Sequence, residues 1–96
     1  MVLSFHELAE RELNDAAQYY DREQAGLGAA LIADIRRCTD GILEHPEAGP
    51  VIRGRVRRRL CRRFRYAVLY TIRPETVRVL AVMNLRRHPT YWVGRS

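Results

Sequence analysis

The 96-residue chain is long enough for one small domain, residues 1–96, and too short for two, since a second core would need roughly 100 more residues. Its 47% hydrophobic and 8% aromatic content is ordinary for a globular protein and excludes wholesale disorder. All 17 basic residues are arginine, and they are unevenly placed: residues 1–48 hold 4 arginines against 10 acids, net −6, whereas residues 49–96 hold 13 against Glu75 alone, net +12.

Met1–Phe5 is apolar enough for a short strand, and Ser4 with Glu7 fits a capping box at the start of a helix. From Glu7 to about Glu23, Ala9, Leu13, Ala16 and Tyr20 step by four, three and four, which predicts an amphipathic helix with its acids elsewhere. Gln24-Ala25-Gly26-Leu27-Gly28 interrupts the pattern as glycine-containing helix connections do. A second helix is predicted from Leu27 to Glu44, burying Leu31, Ile35, Cys38 and Ile42, and His45-Pro46 stops it because the residue before proline avoids the α region.

The period then changes to two. Val56, Leu60 and Phe64 alternate against Arg57, Arg59, Cys61, Arg63 and Arg65, which predicts a strand with one face almost wholly arginine. Arg58 and Arg62 interrupt the other face and imply a partly covered strand. Tyr66–Ile72 is a second strand, Arg73-Pro74-Glu75 a turn, and Thr76–Leu85 a third strand whose continuous apolar run implies burial on both faces. The sum is an α+β fold: an N-terminal antiparallel helix hairpin on a three- to four-stranded, mainly antiparallel sheet, with the arginine-rich side expected to stay open.

No apolar run approaches the ~20 residues of a membrane span and no signal peptide is visible, so the chain reads as cytoplasmic, without membrane contact. Cys38 and Cys61 lack paired metal-site spacing and a secretory context, which predicts reduced thiols. P-loop, GxSxG and HExxH signatures are absent, and no metal ligand set or cofactor motif is present. His6 and His45 fall at helix ends, where capping is the simpler role. After the last strand, Arg86-Arg87-His88-Pro89-Thr90-Tyr91-Trp92 gathers groups suited to phosphate contact, base stacking and proton transfer, although Tyr91 and Trp92 would equally fold back to seal the sheet.

Six segments in order resemble the RelE/ParE toxin superfamily: Glu12–Tyr20, Gly26–Gly28, Ile42–Pro50, Val56–Arg58, Phe64–Tyr70 and Arg87–Trp92. The tandem tyrosines Tyr19-Tyr20 and the final Tyr91-Trp92 resemble the ParE branch; Arg65 departs from it, where proline is common. The resemblance implies a bacterial type II toxin, a cognate acidic ParD-like antitoxin that fills grooves between helices and sheet, and the same hairpin-on-sheet fold. It implies no cofactor. ParE-like toxins act on DNA gyrase without chemistry of their own, and on that reading Arg57, Arg59, Arg63, Arg65, Arg86, Arg87, Tyr91 and Trp92 are antitoxin- or target-binding residues. The alternative is a RelE-like, ribosome-dependent messenger-RNA endonuclease, in which Arg57, Arg63 or Arg86 would stabilise phosphate charge and His88 or Tyr91 would move protons. Many members of that branch lean on lysines for part of this work, which this chain lacks, and arginine cannot act as a base, although other members manage with His or Glu. A third possibility is a degenerate member that only binds its antitoxin.

Overall fold

The computed structural model describes residues 1–96 as two layers. The chain lays down β1 (Val2–Phe5), crosses through helices α1 (Glu7–Glu23) and α2 (Leu27–Glu44), and then builds β2 (Val51–Arg53), β3 (Val56–Leu60), β4 (Tyr66–Ile72) and β5 (Thr76–Asn84). The sheet order is β1-β5-β4-β3-β2. β2 to β5 form an antiparallel meander, and β1 joins it parallel to β5, with Leu3 opposite Val77 and Phe5 opposite Val79.

The helical stripes fall where their spacing places them. Leu31, Ile35, Cys38 and Ile42 of α2, with Ala9 of α1, pack on Tyr66, Val68, Tyr70, Val77, Val79 and Val82. Leu13, Ala16 and Tyr20 border that core, and Tyr20 meets Phe64 and Tyr66 edge to face. Gly26, at φ 88°, makes the left-handed turn between the helices, and the Asp21 carboxylate then accepts the Gly28 N–H at 2.8 Å. A smaller core of Ala67, Leu69, Ala81, Met83 and Trp92 lies on the other sheet face.

Three expectations change. Ser4 does not cap α1: it is still in β1, where its hydroxyl meets Arg78, and His6 Nδ1 instead accepts the Leu8 N–H at 3.0 Å. The sheet has five strands rather than three or four, because exposed Val51–Arg53 pairs with β3 across a turn at Gly54 (φ 57°). The β3 strand ends at Leu60, and residues 61–65 form a bend rather than more strand.

The arginine side is also not the open one. Arg57 stands opposite Tyr70 and Arg59 opposite Val68, so both share the helix-covered face, while Arg58, opposite Leu69, points to the other. The reason is local. β3 lies towards the sheet edge, beyond the hairpin's main footprint, and there Gly41 of α2 leaves room for the Arg59 guanidinium. Arg57 donates to the carbonyls of Glu47 and Gly49 at 2.9 and 2.8 Å, fastening the connection that follows α2.

Candidate functional site

The bend at residues 61–65 is built by a carboxylate on an otherwise apolar stripe. Asp34 is buried in α2, and its Oδ2 accepts the backbone N–H groups of Arg63 and Phe64 at 3.1 and 2.9 Å. Two successive N–H groups on one carboxylate are charge-assisted bonds, and they fix the direction in which the neighbouring side chains leave the backbone. Arg62, Arg63 and Arg65 are consequently displayed in solvent, with Arg63 lying 5.7 Å from the Phe64 ring centroid.

The end of β5 lies beside this bend, because the Leu85 N–H donates to the Arg65 carbonyl at 3.0 Å. Exposed Arg86 and Arg87 therefore join Arg63 and Arg65 at one end of the sheet. Of the 13 arginines beyond residue 48, Arg95 alone pairs with a carboxylate. No carboxylate of the hairpin comes within ion-pair distance of Arg62, Arg63, Arg65, Arg86 or Arg87.

The tail after β5 folds back. Trp92 is 4% exposed and packs on Ala67, Leu69, Ala81 and Met83, with its Nε1–H donating to the Pro89 carbonyl at 2.7 Å. It is a core residue, and its ring is not presented for stacking. Tyr91 lies between two guanidiniums, 4.1 Å from Arg87 and 5.1 Å from Arg95. Burial, reinforced by the nearby Glu12 carboxylate, raises the Tyr91 phenol above its usual range, and its hydroxyl has no hydrogen-bond partner. Such a phenol is a poor base near neutral pH. His88 is exposed, with Nδ1 3.0 Å from the Thr90 hydroxyl.

Sequence reading missed both Asp34 and the latch formed by Glu12 and Arg95. β1 ends at Phe5, so β5 has an unpaired edge beyond Val79. There Glu12 Oε1 accepts the Val82 N–H at 3.1 Å, and Arg95 donates to the Leu80 carbonyl at 3.0 Å and to both Glu12 oxygens at 3.0 and 3.2 Å. The one signal for such residues was an acid standing close to a helix's inward stripe.

The candidate residues thus separate into two places. Arg63, Arg65, Arg86 and Arg87 share one end of the sheet, with Tyr91 beneath Arg87. Arg57 is about 10 Å further along β3 from Leu60, on the helix-covered face and committed to two carbonyls. The set Arg57, Arg86, His88 and Tyr91 does not converge on one reacting atom. No group of three or more His, Cys, Asp and Glu side chains is arranged to hold a metal, and no helix is long and apolar enough to cross a membrane. A groove of about 330 Å³ between β1 and the hairpin is lined by Leu3, Phe5, Leu13, Ile32, Ile35, Arg36, Thr39 and Asp40.

Residues 3–89 match the family described as the ParE toxin of the type II toxin–antitoxin system parDE. Among solved structures, a chain from one described as the chromosomal ParDE TA system from P. aeruginosa superposes with a TM-score of 0.77 at 15% identity, covering 88% of this chain and 95% of that one. At that identity the likeness is one of fold. No curated protein matches the chain.

Proposed function

Starting from the premise that this chain belongs to the ParE toxin family of type II toxin–antitoxin systems, we propose that it inhibits DNA gyrase by docking and is neutralised by a cognate antitoxin. The observation that carries this reading is the cationic end of the sheet. Arg62, Arg63, Arg65, Arg86 and Arg87 are exposed, unpaired and held on a braced bend and strand end, as a recognition surface requires. The messenger-RNA endonuclease reading would need convergent acid, base and phosphate-stabilising groups. It is disfavoured by the commitment of Arg57 to Glu47 and Gly49 and by its separation from His88.

The antitoxin partner follows from the family. We place its apolar anchors in the groove beside β1, where Leu3, Phe5 and Ile32 are accessible, and its acidic residues against the arginines. Cytoplasmic action accompanies a gyrase target.

The test uses purified chain in two parallel assays. Gyrase with relaxed plasmid and ATP is expected to lose supercoiling and accumulate cleaved DNA, and added antitoxin is expected to restore activity. Inactive protein in that assay, together with codon-positioned cuts in ribosome-bound message, reverses the assignment; inactivity in both, with tight antitoxin binding, leaves the degenerate antitoxin-binding member.

A further inference from the structure

Cys38 of α2 and Cys61, the first residue after β3, line one cavity of about 150 Å³ together with Asp34, Arg37, Arg59 and Arg62. Both cysteines are free. Cys38 is 5% exposed, with Sγ 3.7 Å from the Arg59 carbonyl, and Cys61 is half-buried against the same core. They come from elements far apart in sequence, and neither is explained by toxin docking.

The two thiols are chemically unequal. The neighbouring Cys61 thiol holds the Cys38 thiol below its usual range; Arg59 acts in the same sense, and burial and Asp34 oppose it. The same neighbour, with burial, raises Cys61. One thiol is eased towards its nucleophilic form and the other, lining the same cavity, is held protonated, which is the arrangement of an attacking and a resolving cysteine. The Arg59 guanidinium favours the anionic sulfur, and the cavity is large enough for a small peroxide.

We propose that Cys38 and Cys61 are a peroxide-oxidised modification site that forms a reversible intramolecular disulfide, joining α2 to the arginine-bearing bend. In the first step the Cys38 thiolate attacks a hydroperoxide oxygen. An S–O bond forms as the O–O bond breaks, and the departing oxygen takes a proton and leaves as water or an alcohol. Cys38 is then a sulfenic acid, oxidised by two electrons. Cys61 sulfur next attacks Cys38 sulfur; the S–S bond forms, the S–O bond breaks, and the Cys61 proton leaves with the hydroxide as water. A dithiol reductant returns both thiols.

The full chain, fully reduced, is treated with hydrogen peroxide alongside free glutathione, then digested without reduction and mapped by mass spectrometry. The expected result is a monomer lighter by two hydrogens, with both thiols lost together, a linked Cys38–Cys61 peptide, and recovery with dithiothreitol. The bridge is expected to raise the melting temperature by roughly 10 °C. In Cys61→Ser, a sulfenic-acid trap is expected to label Cys38. Thiols that stay titratable while glutathione oxidises overturn the proposal, as do disulfides formed only between chains; if Cys61→Ser does not fold, the linked peptide in the unsubstituted chain decides. Gyrase inhibition plays no part in these readouts, so they stand or fall separately from the functional reading.

Discussion

Removing Glu12 tests how the tail is held. Its carboxylate satisfies the Val82 N–H on the unpaired edge of β5 and both nitrogens of the Arg95 fork, and the Glu12 and Arg95 side chains are 17% and 12% exposed. Glu12→Ala orphans a backbone donor, at about 1–3 kcal/mol, and leaves a mostly desolvated guanidinium without its counter-charge. These costs overlap, because both groups gain some water once the carboxylate is gone, and the expected total is about 3 kcal/mol. Arg95→Ala is milder, about 2 kcal/mol, because Glu12 keeps the Val82 N–H. The double substitution is expected near the cost of Glu12→Ala alone, giving a coupling of about 1–2 kcal/mol. For a domain of this size, Glu12→Ala corresponds to a fall of roughly 15 °C in melting temperature. Denaturant unfolding of the four proteins measures the cycle. A Glu12→Ala cost below about 1 kcal/mol, or strictly additive single effects, refutes the latch.

Asp34→Ala should cost about 3 kcal/mol in denaturant titration, because it strands the Arg63 and Phe64 N–H groups, whereas Asp34→Asn, which retains an acceptor, should cost less. Tyr91→Phe is expected to be neutral or stabilising by up to about 1 kcal/mol in the same titration, because the hydroxyl has no partner; it should also leave toxicity intact, whereas a catalytic phenol would be lost. Burial raises the phenols of Tyr66, Tyr70 and Tyr91, so their contribution is fully present below the unfolded value of about 10 and is lost as pH climbs towards the folded values. Thermal melts across pH 9–12 should fall, and more shallowly in Tyr91→Phe. Arg63→Glu is expected to weaken antitoxin binding most at low salt, measured by calorimetry at two ionic strengths, because Arg63 is solvent-exposed and screened.

Much of the architecture was legible because it is periodic. Leu31, Ile35, Cys38 and Ile42 announce a buried helical stripe, and Val79–Met83 announces a strand covered on both sides. Val51–Arg53 was not legible, since three exposed residues carry no alternation and owe their strand state to pairing with β3. For β3 the alternation holds, but the faces are the reverse of what hydropathy predicts. Hydropathy turns Val56 and Leu60 inwards, whereas the register with β4 turns Arg57 and Arg59 towards the helices, and Leu60 ends 54% exposed. The partners of Asp34 lie 29 and 30 residues away, and Glu12 meets Arg95 across 83, so no local pattern announces either contact. The cationic excess was visible as a count, but its gathering at the bend and the β5 end depends on the tertiary fold.

The most direct test of the account compares two variants in gyrase supercoiling: the triple reversal Arg62→Glu/Arg63→Glu/Arg65→Glu, and His88→Ala. Docking through the cationic end predicts that the reversal weakens inhibition by roughly tenfold or more while His88→Ala inhibits as the unsubstituted chain does. Inhibition that survives the charge reversal but disappears with His88 would contradict it.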